Sequence, residues 1–170
     1  AVNNHASWYC TQLAAYAEFS GDKRTLNDVL DNQFPVRVFL QIAPDGYQRH
    51  EMGRHVSWRY VNMATASFFN TALIGDRHGR DLWHFRTADG RGLRAAIDWI
   101  AERIRGEKPI EGKNVEGVDF TPAVPLLSIA AVRYREPAFA ALLEELPGYP
   151  DDHRYRLLFP IDEVRRLAEN

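Results

Sequence analysis

The 170-residue sequence has one cysteine, two methionines and no apolar run near the roughly 20 residues needed to cross a bilayer. One cysteine cannot form a disulfide within the chain, which leaves Cys10 as a buried thiol or as a link to another chain, and we expect the buried thiol. Neither sign of charge is in excess, since 21 Lys and Arg stand against 23 Asp and Glu, for a net charge of -2. We therefore predict neither nucleic acid nor a membrane as a partner.

Hydrophobic residues make up 45% of the chain and aromatic residues 12%, with four tryptophans. This composition fits a single domain over residues 1–170 with a substantial core, and we expect the tryptophans to belong mainly to that core. The sequence begins Ala-Val-Asn-Asn without a methionine. We read this start as the product of processing, proteolysis or design.

Apolar residues recur at helical spacing along almost the whole chain, which predicts an all-α protein of about seven helices in successive hairpins. Proline and glycine interrupt the helical pattern at Phe34-Pro35, Pro44-Asp45-Gly46 and Asp89-Gly90. The predicted helices span residues 7–20, 22–33, 36–42, 57–74, 92–105, 121–133, 136–146 and 162–168. Residues 45–56, 75–92 and 106–120 are predicted loops.

Two polar segments combine residue types suited to catalysis. The first is Asn3-Asn4-His5-Ala6-Ser7-Trp8-Tyr9, and the second is Glu51-Met52-Gly53-Arg54-His55-Val56-Ser57-Trp58-Arg59-Tyr60. Taken singly, these residues have structural explanations: Asn4 as a helix cap, Arg54 as a solvated charge and Tyr60 as a core aromatic. Together they offer an amide, an imidazole, a guanidinium and a phenol.

The two segments resemble motifs of the alginate-lyase-like polysaccharide lyases. The first is similar to the family's Asn-Asn-His-Gly-Ser/Thr-Trp-Tyr. A second set is similar to the family's downstream block and consists of Gln41, Asp45-Gly46, Gln48, Glu51, Arg54, Ser57-Trp58 and Tyr60. Asp81-Leu82-Trp83 and Asp89-Gly90-Arg91 resemble the next segment. The resemblance covers about residues 3–105.

The resemblance implies an (α/α) toroid, a ring of helical hairpins around a groove for a uronate polymer, and β-elimination at a 1,4-linked uronic acid. It implies that Asn4 and His5 lie at the carboxylate and the C5 proton, that Arg54 neutralises the carboxylate and that Tyr60 protonates the leaving oxygen. Trp8, Tyr9, Gln48, Glu51 and Trp58 are the predicted substrate-binding residues. The resemblance implies no organic cofactor. We also predict no metal, because His50-Glu51 lacks a second histidine four residues on.

The chemistry of β-elimination explains these residue types. A proton next to a carboxylate is weakly acidic because its removal adds a second negative charge, which an arginine fork and nearby donors stabilise. An imidazole accepts protons near neutral pH, and a phenol donates one. Two assignments remain open: His5 as base with Tyr60 as acid, or Tyr60 in both roles.

Three positions depart from the family pattern. Ala6 replaces a usual glycine, Cys10 replaces a common aspartate, and Arg49-His50 replaces a stretch that often contains proline. None of them is one of the four predicted catalytic residues, but they leave two functions open. One is a secreted or periplasmic lyase that acts on an alginate- or glucuronan-type polyuronate. The other is a catalytically weak or inactive carbohydrate-binding or defence protein on the same scaffold.

A complete toroid of this family is about twice as long as this chain or somewhat less. We therefore expect residues 1–170 to be the C-terminal part of an incomplete toroid. A further expectation is an N-terminal partner chain that covers the apolar faces of the first helices.

Overall fold

The structure, a computed structural model, describes residues 2–146 and 154–166. These ranges are helical with no strand, which confirms the predicted all-α class. The helices are α1 (Asn4–Ser20), α2 (Lys23–Asp28), α3 (Phe34–Gln41), α4 (Arg49–Met52), α5 (Ser57–Arg77), α6 (Leu93–Ile104), α7 (Ala123–Tyr134), α8 (Pro137–Glu145), α9 (Arg154–Leu158) and α10 (Ile161–Arg165). In the part of the chain so described, no helix is long and apolar enough to span a membrane.

The second and third predicted helices are one continuous helical run. A π-helical turn (Val29–Gln33) joins α2 to α3, and the Phe34 N–H donates to the Val29 carbonyl. Proline ends an ordinary helix because it lacks an N–H and clashes with the carbonyl four residues back. The wider π turn changes the spacing between hydrogen-bonded N–H and carbonyl groups just before Pro35. The helix therefore continues through a residue at which the sequence predicted a break.

Helix α4 lies inside the segment 45–56, which the sequence predicted to be irregular. It is a single turn of four residues, too short to show apolar periodicity. The last predicted helix, 162–168, is represented by α10, and its final residues lie outside the described ranges.

Helices α1 and α5 run parallel, side by side. The Thr11 hydroxyl contacts the Ser67 carbonyl at 2.8 Å, near the middle of both helices. Towards their carboxyl ends, Glu18 pairs with Arg77 at 2.7 Å. Helices of parallel orientation begin at the same end of the molecule, so the two polar segments that precede and open α1 and α5 are brought together there.

The core lies between these helices and α6, α7 and α8. Trp58, Trp83 and Trp99 are buried, as the composition predicted, and the Trp83 ring meets Phe69 edge to face at 5.1 Å. Cys10 is also buried as a free thiol, which confirms that prediction. Its sulfur lies 3.4 Å from the side-chain carbonyl of Gln33 in the π turn.

Candidate active site

The amino end of α1 is capped from a distant part of the chain. The Asn4 backbone N–H donates to Glu51 Oε1 at 2.6 Å, and the Asn4 side-chain amide donates to Glu51 Oε2 at 2.7 Å. A carboxylate suits this place because free N–H groups and the helix dipole make the amino end of a helix positive. The contact also explains why α1 begins at Asn4, three residues before the predicted start.

This geometry corrects the simple capping interpretation of Asn4. The N-cap position is Asn3, whose side chain makes no capping hydrogen bond. Asn4 is already within the helix, and its side chain donates to a carboxylate instead of accepting from the backbone. Its amide is therefore held in one orientation at the same end of the molecule as the second polar segment.

Arg54 and Tyr60 are in direct contact in that second segment. The Arg54 guanidinium carbon lies 4.1 Å from the centre of the Tyr60 ring, and both side chains are half-buried. The ring of His55 meets the same tyrosine edge to face at 6.1 Å. A guanidinium over an aromatic face is attractive, so each side chain restricts the rotation of the other. The pair presents a cation and a phenol side by side.

The turn before α5 is fixed by its own hydrogen bonds. The Arg54 N–H donates to the Glu51 carbonyl at 3.0 Å. The Ser57 hydroxyl lies 2.9 Å from the Met52 carbonyl and 2.8 Å from that of Arg54. The helix begins at Ser57 itself, and this side chain binds the preceding turn instead of capping α5.

The loop after α6 is paired with this turn through its backbone. The Ser57 N–H donates to the Lys113 carbonyl at 2.8 Å, and the Val115 N–H donates to the His55 carbonyl at 3.2 Å. Gly112 permits the close approach, since a Cβ there would lie 2.6 Å from the Ser57 hydroxyl oxygen. The residues on either side of Val56 are therefore held by a second segment of the chain.

Side chains complete this attachment. The side-chain amide oxygen of Asn114 accepts from the Trp58 backbone N–H at 2.9 Å and so supplies the cap that α5 lacks from its own sequence. The Trp58 indole N–H donates to the Asp119 carbonyl at 2.8 Å. The sequence prediction missed Asn114, because an asparagine 56 residues away carries no local signal of a cap.

Three of the predicted substrate-binding residues lie in the interior of the described chain. Gln48 donates to the Thr65 hydroxyl at 2.7 Å, Glu51 binds Asn4, and the Trp58 ring packs against Phe120 with 5.6 Å between ring centres. All three are 1–2% exposed. The Glu51 carboxylate, the Trp58 indole N–H and the Gln48 side-chain NH2 already bind protein atoms, although the Gln48 side-chain oxygen has no partner among the described residues. In this arrangement the three residues support the site from behind instead of lining its surface.

Apart from Asn4, which is buried, the other predicted site residues are accessible. Tyr9 is exposed, Trp8 is half-buried and His5 is exposed on α1. Within residues 2–146 and 154–166, the His5 imidazole has no hydrogen-bond or ion-pair partner. Cys10 contacts Gln33, so it does not orient His5. The site thus offers an imidazole, a guanidinium and a phenol that solvent and substrate can reach, with an enclosed amide held by Glu51.

Comparison with known proteins agrees with this geometry. The family model described as alginate lyase matches residues 1–110, which is more than half of the chain. The chain therefore belongs to the alginate lyase family, as its motifs predicted. No curated protein matches the sequence.

The fold is shared with a solved structure. The crystal structure of an alginate lyase from Bacteroides ovatus superimposes with a TM-score of 0.82 and 24% sequence identity. The match covers 94% of this chain and 43% of that one, so the chain spans less than half the length of its structural neighbour. At this identity the likeness shows the fold alone.

Proposed function

We propose that this chain carries the β-elimination site of a polysaccharide lyase that cleaves a 1,4-linked polyuronate of the alginate or glucuronan type. The observation that carries the proposal is the contact of Arg54 with Tyr60 at 4.1 Å, at the end of the molecule where α1 begins with Asn4 and His5. Family membership supports the reaction class.

In the proposed reaction a uronate carboxylate binds Arg54, whose fork matches its two oxygens. A base removes the C5 proton, the electron pair forms the C4–C5 double bond, and the C4–O bond breaks. Tyr60 protonates the departing oxygen. The negative charge that develops on the carboxylate is stabilised by the guanidinium and by the remaining donor of the Asn4 amide, and one such donor contributes about 3 kcal/mol.

Two residues are candidates for the base. His5 is exposed and an imidazole accepts protons near neutral pH, which supports His5 as base and Tyr60 as acid. Tyr60 as both base and acid is the other assignment, supported by the cation on its ring. The variant His5→Ala distinguishes them, because only the first assignment requires an imidazole for proton removal, whereas Tyr60→Phe should abolish the reaction under both.

The substrate class is supported by local positive charge. Arg49 and Arg59 are exposed on the same stretch as Arg54, and the Arg59 guanidinium reaches Glu116 only at 4.0 Å. An acidic polymer would bind such a patch although the whole chain has a net charge of -2. A secreted or periplasmic location, where such polymers occur, forms part of the proposal.

A partner for α1 also belongs to the proposal. Tyr9, Tyr16 and Phe19 are exposed along one face of this helix, and Phe19 is 94% exposed. Exposed aromatic rows of this kind mark protein contacts. We expect an N-terminal helical region, in the same or a separate chain, to cover this face and complete the toroid. Purification from the natural source, followed by mass measurement of the intact assembly, tests this.

A second function is favoured by one observation. His5 has no orienting partner among the described residues, and an unoriented imidazole is a poor base. A catalytically weak or inactive carbohydrate-binding or defence protein on the same scaffold would tolerate that. Such a protein would bind a sugar polymer without turnover.

The deciding experiment follows ultraviolet absorbance of 4,5-unsaturated uronate while the natively purified protein is incubated with alginate or glucuronan. We expect a rise that Tyr60→Phe abolishes. Thr11→Val, which alters a buried contact between α1 and α5 far from the site, should leave the rate unchanged. No rise on any polyuronate would contradict the lyase proposal, and binding measured by calorimetry would then support the second function.

A further inference from the structure

The Glu51 carboxylate is enclosed, and both of its oxygens accept hydrogen bonds from one residue. Oε1 accepts from the Asn4 backbone N–H at 2.6 Å, and Oε2 accepts from the Asn4 side-chain amide at 2.7 Å. The side chains lie 47 residues apart in sequence, and both residues are at most 3% exposed. Water therefore does not compete for these bonds, and the contact is stronger than one at the surface.

The chemistry of the pair fixes the rotation of the Asn4 side chain. A carboxylate accepts and does not donate, so the amide must turn its NH2 group towards Glu51. The amide oxygen and the second N–H then face elsewhere. Since the backbone N–H of Asn4 binds the same carboxylate, the first turn of α1 is fixed as well, and with it the backbone of His5.

Glu51 also connects to the cationic part of the site. Its backbone carbonyl accepts from the Arg54 N–H at 3.0 Å. One residue thus touches Asn4 through its side chain and the Arg54 turn through its backbone. No other described residue joins these two parts of the candidate site by hydrogen bonds in this way.

We propose that Glu51 is a positioning residue for the elimination, one that holds the Asn4 amide and the first turn of α1 in the orientation that the uronate carboxylate requires, without contacting substrate. This inference rests on the proposed function. It reassigns Glu51 from the predicted substrate contacts, because its carboxylate is enclosed and each of its oxygens already accepts a hydrogen bond from Asn4.

A kinetic double-mutant cycle tests the role of Glu51. Glu51→Gln keeps the shape but offers one acceptor and one NH2 group to two donors, so one bond is lost and the amide of Asn4 is released. Because a misplacement of about 1 Å can cost about 100-fold, we expect kcat to fall roughly 10-fold to 100-fold, with little change in KM. In an Asn4→Ala background only the backbone N–H of residue 4 remains as a donor, and the glutamine carbonyl oxygen can still accept from it. The same change should therefore lower kcat by less than about threefold.

Two further variants separate positioning from general loss of structure. Glu51→Asp keeps the charge with a shorter reach, so we expect a smaller fall in kcat than for Glu51→Gln. Thr11→Val removes a buried hydrogen bond of the same helix, to the Ser67 carbonyl, and should lower thermal stability without changing kcat. Circular dichroism of each variant verifies that the helices remain folded.

The possible failures are distinguishable. If wild-type protein produces no unsaturated uronate, the proposed function is overturned and the role of Glu51 with it. If the wild type is active and Glu51→Gln lowers kcat equally in both backgrounds, or leaves it unchanged, the positioning role alone is overturned. A rise in KM without a fall in kcat would indicate substrate contact and would also overturn it.

Discussion

Replacement of Arg54 by lysine separates the shape of this side chain from its charge. The guanidinium lies over the Tyr60 ring at 4.1 Å and is half-buried. Lysine keeps the positive charge but loses the planar fork that binds two carboxylate oxygens and the flat surface that stacks on an aromatic ring. The variant should therefore bind an acidic polymer while it stabilises the transition state less well.

The size of the effect follows from the contacts that are lost. A hydrogen bond to a charged group contributes about 1.5–3 kcal/mol, and about 1.4 kcal/mol corresponds to a factor of ten. We thus expect kcat/KM of Arg54→Lys to fall about 10-fold to 100-fold. The stacking on Tyr60 contributes about 0.5–1 kcal/mol at a partly exposed site, so the free energy of unfolding should change by no more than that.

The assay is the rise in ultraviolet absorbance on a polyuronate, with urea unfolding of the same samples. The matched control is Arg94→Lys, because Arg94 also lies over aromatic rings, 5.2 Å from the centre of Phe139, but belongs to α6. We expect a similar small loss of stability and full activity there. Activity of Arg54→Lys within twofold of wild type would refute the bidentate role, as would an equal loss in the control.

The remaining predictions concern stability. A hydrogen bond from Arg77 is the main cause that lowers the pKa of Glu18 from 4.5 to about 2. The carboxylate therefore stabilises the fold above about pH 4.5, and this contribution disappears as the pH falls towards about 2. Because solvent reaches the pair, we expect Glu18→Gln to lower the free energy of unfolding by about 1 kcal/mol at neutral pH. The loss should be much smaller near pH 2, where the folded-state carboxyl group is about half protonated, and equal losses in urea titrations at the two pH values would contradict this. Asn114→Ala removes the acceptor for the Trp58 N–H, which costs about 1 kcal/mol and should lower Tm by about 2–4 °C; an unchanged Tm would show that the cap is unimportant. Phe69→Ala removes a fully buried ring and should cost about 3–5 kcal/mol in urea unfolding, so a loss below about 1 kcal/mol would contradict the packing described above.

The regular helices were predictable because their apolar faces repeat at the helical period. In α6, Leu93, Ala96, Ile97 and Ile100 are all completely buried, as their spacing predicted. The run from Lys23 to Gln41 was not predictable in the same way. Proline normally ends a helix, and the π turn that accommodates Pro35 depends on packing that periodicity does not report.

The candidate site was predictable in composition but not in arrangement. Motifs identify Asn4, Arg54 and Tyr60, yet periodicity cannot show that α1 and α5 run parallel and so bring these residues to one end. The role of Glu51 also depends on that orientation, since its partner lies 47 residues away. From sequence alone, a glutamate in a short polar segment is expected at the surface, because the distant N–H groups that bind its carboxylate in the interior are not visible there.

The site extends structurally beyond the residues that match the family. The match ends at residue 110, but Lys113 and Val115 pair with the backbone on either side of Val56, and Asn114 caps α5. These bonds act on the turn between Arg54 and Tyr60, the two residues whose contact carries the proposed function. Two chains of this family with the same motifs can therefore hold the pair differently if the loop after α6 differs.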